Sequence, residues 1–263
     1  MSARSRCRLT AALLIAVGLL TACNTSAIPE PKAAVPTKKV ARGDILWHFV
    51  DDQCIPNHLA GKSPPLPCIQ VDMDKGYVIF KDKNGPLQYL HMPTRHVTGL
   101  EDPTLLSASR TPYFAQAWHA RRYMDRLLGR AIAAQDYSFT VNSKSGRSQN
   151  HLHTHISCIR PALRERLLGM QSQFDSRWRP VPGGINGHAY QARTLSLNEL
   201  ETRGAIALTI ASLAHARQDM ANVSLALYPL SEQQFLLFAS LRPGASSEGD
   251  FQDHRCPQLL ASR

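Results

Sequence analysis

Three histidines alternate with other residues in the run from His151 to His155, and the apolar Ile156 follows them. Alternate side chains of a β-strand share one face, so this spacing predicts a strand over residues 151–159 with three imidazoles on one wall. A neutral imidazole can attack phosphorus, while neighbouring imidazoles orient it and donate hydrogen bonds to phosphoryl oxygens. The run therefore predicts a site that cleaves a phosphoanhydride, with His151, His153 and His155 as candidate catalytic residues.

The same three side chains allow two other interpretations. Histidines that alternate along the edge of a sheet could simply face solvent. Imidazoles on a strand are also good zinc ligands, and distant residues could complete such a site although no acidic residue stands beside the run. A metal-dependent phosphohydrolase is therefore an alternative, and activity in the presence of a chelator distinguishes the two.

Residues on both sides of the histidine run predict an α+β fold. Residues 76–80 and 87–92 have strand-like patterns around the turn signal Asn84-Gly85, and Pro112 opens an amphipathic helix that Gly129 ends. The other predicted elements are strands at 137–141, 191–195, 223–228 and 234–241 and a helical stretch within 198–220. This order predicts an antiparallel sheet with helices packed on it, and the second half of the chain echoes the first.

The N-terminus has the pattern of a secretion signal. Arg4, Arg6 and Arg8 precede an apolar run over residues 9–20, which ends in Leu20-Thr-Ala-Cys23. This arrangement is typical of a bacterial lipoprotein signal, so we predict cleavage before Cys23 and lipidation of that cysteine. A plain membrane-spanning anchor is the alternative, although the apolar run is shorter than the ~20 residues of a spanning helix.

This interpretation divides the chain into three parts. They are a signal at residues 1–22, a Pro/Ala-rich tether at 23–42 and a folded catalytic domain at 43–263. It predicts a protein of the bacterial cell envelope that is anchored to a membrane and faces the periplasm; a single-pass anchor in the inner membrane would give the same orientation.

Four cysteines remain when Cys7 leaves with the signal and Cys23 is lipidated. An even number of cysteines in an exported chain favours disulfides, and four allow three connectivities. The short Pro-rich segment between Cys54 and Cys68 suggests a local first pair, which leaves Cys158 to bond Cys256. This pairing is a hypothesis, and buried free thiols are its alternative.

The charge of the chain indicates an anionic partner. The formal net charge is +10, and loss of the three arginines of the signal leaves +7. Such a surplus suits phosphate ligands or anionic lipid headgroups. Nucleic acid is disfavoured, because no stretch interleaves aromatic residues with Lys and Arg and no reader motif is present.

Several segments carry a resemblance to a known family. Residues 151–157 resemble the histidine triad motif, residues 89–96 resemble the strand, proline and following histidine of that superfamily, and residues 141–143 resemble its asparagine-bearing strand. More specifically, residues 84–90, 145–161 and 177–184, with Gly187-His188, are similar to the bacterial CDP-diacylglycerol pyrophosphatases. The resemblance extends from about Asp51 to Cys256.

The resemblance implies a fold and a reaction. It implies a histidine triad-like (HIT-like) antiparallel sheet that a degenerate second half completes, and hydrolysis of CDP-diacylglycerol to CMP and phosphatidate without a cofactor. By this similarity His153 is the nucleophile that forms a covalent intermediate, and His151 and His155 assist it. The same intermediate would also serve a nucleotidyltransferase, and a lipoprotein that binds lipid or nucleotide without catalysis is a further alternative.

The resemblance also implies residues that bind the substrate. His96 matches the additional histidine of the superfamily, and Asn142 would bond a triad imidazole or the ribose. Residues just before the triad would contact phosphoryl oxygens through guanidinium and amide donors; they are Arg147, Gln149 and Asn150. Around the Pro182–Gly184 turn, a lid or cytosine pocket is one interpretation and a structural turn with a buried Trp is the other; the residues are Arg177, Trp178, His188 and Tyr190. The partners expected are the lipid-linked nucleotide and the membrane surface, with no obligate protein partner.

Overall fold

The computed structural model of the protein describes residues 41–106 and 111–260. Cys23, the predicted signal and nearly all of the predicted tether lie outside the described residues. Among the helices of the described ranges, none has the length and the apolar character needed to cross a bilayer.

A nine-stranded sheet forms the centre of the fold. Its strands are β1 (Cys68–Asp72), β2 (Tyr77–Lys81), β3 (Tyr89–Pro93), β4 (Tyr137–Val141), β5 (Thr154–Cys158), β6 (Arg179–Pro180), β7 (Gln191–Ser196), β8 (Val223–Pro229) and β9 (Gln234–Leu241). They lie in the order β1-β2-β3-β5-β4-β8-β9-β7-β6, and every neighbouring pair is antiparallel. The predicted α+β class is therefore confirmed, whereas the HIT-like fold and the degenerate second half stay predictions.

The register of the strands separates the two faces of the sheet. On one face His155 pairs with Leu90 and Thr140, and the same row continues through β8, β9 and β7 at Ala226, Phe238 and Ala192. We call this the histidine face. On the opposite face a second row runs from Tyr89 through Ile156, Phe139, Leu227 and Leu237 to Arg193.

Helices cover both faces of the sheet. They are α1 (Ile45–Phe49), α2 (Ile55–Leu59), α3 (Pro103–Leu106), α4 (Tyr113–Ala120), α5 (Arg122–Leu128), α6 (Pro161–Met170), α7 (Leu197–Thr202), α8 (Ala205–Ser212), α9 (Ser247–Phe251) and α10 (Pro257–Leu260). A π-helical turn, Val50–Cys54, joins α1 to α2.

The largest hydrophobic core lies opposite the histidine face, under α4 and α5. The indole of Trp118 packs edge-on against Phe139 and Phe235, with ring centroids 5.8 and 5.0 Å away. The single helix predicted after Pro112 is two helices around Arg121, which keeps right-handed helical angles. Gly129 ends α5 with a φ of 81°, a left-handed conformation that glycine adopts without a Cβ clash, so the predicted stop is confirmed.

Two smaller cores cover the histidine face at its two ends. One joins α1, α2 and the turn between them to Val78, Leu90 and Met92. The other joins α6 and α9 to Tyr228 and Phe238. Because His155 belongs to the row between these cores, the histidines occupy a gap in the helical covering of the sheet.

Two disulfides hold the ends of the described chain. Cys54 bonds Cys68, and Cys158 bonds Cys256, with Cα atoms 5.4 Å apart in each pair. The first bond ties the N-terminal helices to β1, and the second ties the C-terminal segment to the end of β5. The predicted pairing is confirmed.

The predicted strand over residues 151–159 is wrong at its N-terminal end. β5 begins only at Thr154, so His151 and His153 precede the strand. The backbone N–H of Leu152 donates to the carbonyl of Val97, in the loop after β3, at 2.6 Å. This bond draws the chain away from the ladder, which periodicity along the sequence does not reveal.

Candidate active site

The three histidines lie together and are buried. His151 is fully buried and His153 and His155 are each 6% exposed. The rings of His153 and His155 meet edge to face, with centroids 4.8 Å apart. The sequence therefore correctly grouped these side chains, even though only His155 is on a strand.

Hydrogen bonds to carbonyl groups fix the tautomers of two of the rings. His153 Nδ1 lies 2.6 Å from the carbonyl oxygen of His151, and His151 Nε2 lies 3.0 Å from that of Pro93. A carbonyl oxygen only accepts, so each of these nitrogens carries the hydrogen. The free lone pair of neutral His153 is consequently on Nε2, the nitrogen that can act as a nucleophile.

Burial keeps the imidazoles uncharged at neutral pH. It lowers the pKa of His151 and of His153 to about 4, and it lowers the pKa of His155 although the carboxylate of Glu248 opposes the change. A neutral imidazole has the lone pair that nucleophilic attack needs, so this environment suits the role predicted for the triad.

Glu248, on α9, lies behind His155. Its Oε2 is 3.2 Å from His155 Nε2, an ion-pair contact that lacks hydrogen-bond geometry. Its Oε1 accepts from His254 Nε2 at 2.9 Å, and His254 Nδ1 accepts in turn from the hydroxyl of Ser157. Burial opposes ionisation, but the hydrogen bond from His254, the proximity of His155 and the hydrogen bond from Asn142 hold the pKa of Glu248 at about 2. A permanent anion therefore faces His155.

Asn142 is the residue that holds Glu248. Its amide Nδ2 donates to Glu248 Oε2 at 2.9 Å, and its Oδ1 accepts from the Glu248 backbone N–H at 3.1 Å. The sequence analysis placed Asn142 beside an imidazole or the ribose, whereas its contacts in the structure are with the carboxylate next to His155.

A second polar group lies on the other side of His155. The amide Nε2 of Gln88 is 3.4 Å from His155 Nδ1 and donates to Asp82 Oδ2 at 2.6 Å. Both ring nitrogens of His155 thus face protein groups. The contact of Nδ1 with Gln88, at 3.4 Å, is longer than that of Nε2 with Glu248, at 3.2 Å. Sequence reasoning missed Glu248, His254 and Gln88, because nothing in the local pattern links them to residue 155.

The loop before the triad has its donors engaged by protein. Arg147 forms two bonds to Glu101, at 2.8 and 2.6 Å, where Gly99 leaves room for its guanidinium. Gln149 accepts from the backbone N–H of Leu46 and donates to the carbonyl of Arg42. The backbone N–H of Asn150 donates to the carbonyl of Gly43. In the structure this loop therefore holds the N-terminal helices over the site.

His96 and Trp47 form an aromatic group beside His151. The indole of Trp47 lies 4.9 Å from the ring of His96 and 5.1 Å from that of His151. His96 is exposed, and its ring is nearly parallel to that of His151 at 6.0 Å. The structure therefore places His96 at the edge of the triad, with Trp47 as a neighbour that was not predicted, and substrate binding by His96 stays a prediction.

A cavity of about 420 Å³ opens onto His153 and His155. Its apolar wall comes from the N-terminal helices and from β2 and β3, and it includes a stacked pair of rings, Phe49 and Phe80, at 5.4 Å. Lys81, Asp82 and Lys83 also line it. Lys83 is exposed, whereas the ammonium of Lys81 donates to the carbonyls of Asp82 and Gly85. The cavity thus offers an aliphatic and aromatic surface next to cations and imidazoles, a combination that suits an amphiphilic anion.

The residues around the Pro182–Gly184 turn line a different cavity. Arg177, Trp178, His188 and Tyr190 line a space of about 980 Å³ that shares no lining residue with the one at the triad. Within the described ranges, no group of three or more His, Cys, Asp or Glu side chains is arranged to hold a metal ion.

Comparisons with known proteins agree with the geometry. The sequence model of one family, described as CDP-diacylglycerol pyrophosphatase, matches residues 41–260. A relative from Yersinia pestis, also described as a CDP-diacylglycerol pyrophosphatase, is 37% identical over 225 residues, which cover 84% of this chain and 87% of the relative. The match includes all the residues of the site.

Proposed function

Because the chain belongs to the CDP-diacylglycerol pyrophosphatase family, we propose that it hydrolyses the pyrophosphate bond of CDP-diacylglycerol to CMP and phosphatidate. The enzyme is a hydrolase of phosphoanhydrides. One observation carries the mechanism: His153 is neutral, its Nδ1 hydrogen is held by the carbonyl of His151, and a cavity with an apolar wall opens onto its ring.

In the first step His153 Nε2 attacks the cytidylyl phosphorus. The new bond is N–P, and the bond that breaks joins this phosphorus to the bridging oxygen of phosphatidate, which leaves with the electron pair. The attacking ring becomes positively charged, and the carbonyl of His151, 2.6 Å from Nδ1, stabilises that charge. Phosphatidate is a stable phosphate anion, so it can leave without a strong general acid.

In the second step water attacks the same phosphorus and the N–P bond breaks. CMP leaves and neutral His153 is restored. His155 accepts the proton of the water at Nδ1, where its contact with Gln88 is the longer of its two contacts. The carboxylate of Glu248 stabilises the imidazolium that forms, so Glu248 acts as a positioning residue.

The cavity suits a substrate with a lipid end. Its apolar wall, which includes Phe49 and Phe80, would lie along the glycerol and the first acyl methylenes. Lys83, an exposed cation of its lining, would face the phosphates. This orientation leaves the aromatic group of Trp47 and His96, beside His151, for the nucleoside end.

Trapping of the intermediate tests this mechanism. CDP-diacylglycerol labelled at the cytidylyl phosphorus is mixed with enzyme, quenched within milliseconds and assayed for acid-labile label on the protein. We expect label on the wild type, and neither label nor turnover in His153→Ala. His119→Ala, which removes an exposed histidine paired with Glu201, is the matched control and should keep both. Turnover by His153→Ala would remove that residue from the nucleophile role.

The alternatives have separate outcomes in the same assay. A nucleotidyltransferase would form more cytidylyl ester than CMP when an alcohol is added. A metal-dependent hydrolase would lose turnover in excess chelator and regain it with zinc, whereas we expect full activity without added metal. A binding lipoprotein would retain the lipid and release no CMP.

A further inference from the structure

The larger cavity lies away from the triad, near the β6 edge of the sheet. Gln191, Arg193 and Ala239 line it, and they belong to the rows of β7 and β9 that face away from the histidine face. Three strand spacings separate β5 from β9 in the sheet, which is about 14 Å at ~4.8 Å per spacing. The two cavities share no lining residue, so this space is distinct from the one around His153.

The lining of this cavity includes two arginines and two histidines. Arg177, Arg193, His188 and His215 face it, and no aspartate or glutamate is among its lining residues in the described part of the chain. The acids nearby stand behind the lining: Asp250 is 3.0 Å from His188, and Glu199 is 3.7 Å from Arg193. An anion entering the cavity would thus meet cations first.

Arg193 is a buried cation with weak partners. The residue is only 6% exposed, yet its guanidinium contacts the Thr194 carbonyl at 3.3 Å, Ser212 Oγ at 3.5 Å and Glu199 at 3.7 Å. These distances are at or beyond the limit of a good hydrogen bond. Arg147, by contrast, is held by two bonds of 2.6 and 2.8 Å. A buried guanidinium without a close acceptor favours an anionic ligand.

Much of the remaining lining is apolar. Val181, Leu213, Ala239 and Leu241 provide aliphatic surface. The indole of Trp178 stands beside them, and its N–H donates to Ser212 Oγ at 2.9 Å, which fixes the plane of the ring. Aliphatic surface next to guanidinium groups fits a ligand that has a charged head and a hydrocarbon part.

We propose that this cavity is a second ligand site, which binds a phosphate-headed amphiphile and performs no chemistry on it. Arg193 and Arg177 hold the phosphate, and Leu213 and Leu241 contact the hydrocarbon part. Both the anionic lipids of a bilayer and the phosphatidate released at the triad have this chemistry. The inference goes beyond the proposed function, because it would stand even if the triad acted on another anhydride.

Binding of dihexanoyl phosphatidate, measured by calorimetry, tests the proposal. We expect two sites on the wild type, and one site on Arg193→Gln and on Arg177→Gln. Because loss of a buried cation could disturb folding, Ala214→Trp provides a second variant: Ala214 is exposed and lines the cavity, so the added ring fills it. Arg126→Gln, which removes an exposed cation on α5, is the control and should keep two sites.

Vesicles distinguish the two sources of the ligand. If the ligand is a bilayer lipid, Ala214→Trp weakens sedimentation with phosphatidylglycerol vesicles at least threefold; if it is the product, only binding of the soluble phosphatidate changes. Either result supports the site. Equal numbers and affinities of sites in the wild type, Arg193→Gln and Ala214→Trp would overturn it. The readout is the one site that Arg193→Gln and Ala214→Trp remove. If the triad does not bind phosphatidate, the wild type has one site and these variants have none, so failure of the proposed hydrolysis is distinguishable from failure of this inference.

Discussion

At the scale of single residues, burial determines which histidines are neutral. The ordinary pKa of histidine is 6.5, and burial lowers that of His153 to about 4. The pH dependence of kcat/KM reports the ionisation of the free enzyme. We therefore expect the acidic limb of the kcat/KM profile near pH 4, with the activity still present at pH 5.5, and steady-state assays from pH 3.5 to 8 measure it.

Unfolding of the protein in acid has to be distinguished from the acidic limb of the kcat/KM profile. Histidines of the unfolded chain take up protons as the pH falls through 6.5, whereas His91, His151 and His153 stay neutral in the folded state down to about 4. The free energy of unfolding consequently decreases between these two values. Circular dichroism at each pH controls for unfolding, and a limb at pH 6.5 with intact structure would contradict the prediction.

The contact between Glu248 and His155 gives a second prediction at this scale. Glu248→Gln keeps the size of the side chain and removes its negative charge, so the imidazolium of the second step loses its stabilisation. We expect kcat to fall about 10- to 100-fold, within the range of general-base effects, and KM to fall with it, so that kcat/KM changes less than about threefold. Because only the second step slows, the trapped fraction of labelled enzyme should rise.

Glu248→Asp is the companion variant, because it restores the charge with a shorter side chain. It should recover part of kcat. If Glu248→Gln kept wild-type kcat, or lost activity with no rise in trapped label, Glu248 would have only a structural role. Its bonds with Asn142 and His254 make thermal unfolding of each variant a necessary control.

At the scale of elements, the two disulfides should contribute unequally to the free energy of unfolding. Cys158 and Cys256 are 98 positions apart, whereas Cys54 and Cys68 are 14 apart. Loop entropy in the unfolded chain gives ~4.7 kcal/mol for a loop of about 100 residues and ~3 kcal/mol for one of about 15 residues. Urea unfolding of the two double-alanine variants measures the difference.

The disulfide between Cys158 and Cys256, which closes the longer loop, should also affect catalysis more than the other disulfide. It fixes the segment that follows α9 to the end of β5, and this segment includes His254, the partner of Glu248. We expect the Cys158→Ala/Cys256→Ala variant to lose more kcat than the Cys54→Ala/Cys68→Ala variant at a temperature where both are folded. The reverse order would contradict this account.

Most of the elements could be predicted, because they depend on local signals. The hairpin of β8 and β9 and the helix stop at Gly129 come from periodicity and turn chemistry in one stretch of chain. β1 was not predicted, because no clear alternation marks Cys68–Asp72. The hairpin at Asn84-Gly85 was predicted, but β3 starts only at Tyr89, since Gln88 turns to Asp82 and His155.

The candidate site was predicted only in part, for a related reason. The triad is local in sequence and could be found from its spacing. Glu248 lies 93 positions after His155 and Trp47 lies more than 100 before His151, so only the folded sheet brings them together. Arg147 was recognised as a cation near the site, but its pairing with Glu101 depends on a loop after β3.

At the scale of the whole molecule, the sheet carries two cavities of similar chemistry. The cavity at His153 is bounded by the N-terminal helices, while the one at Arg193 is bounded by the turn after β6 and the end of α8. Both combine cations with aliphatic surface. A protein that hydrolyses a lipid at a membrane surface could use both cavities. The cavity at His153 would serve the reaction, and the cavity at Arg193 would hold the protein on a lipid.

The membrane anchor gives the last prediction. If Cys23 is lipidated, each buried acyl methylene contributes ~0.8 kcal/mol to membrane binding, and two or more chains give a stable anchor. Cys23→Ser should therefore leave a chain that is not acylated. Its hydrolysis of detergent-dispersed CDP-diacylglycerol should stay unchanged, because Cys23 is not among the residues that form the site. Intact-mass measurement of the membrane fraction checks this prediction. A mature wild-type chain that begins at an acylated Cys23 supports the lipoprotein. An uncleaved wild-type chain that stays in the membrane would indicate a spanning anchor.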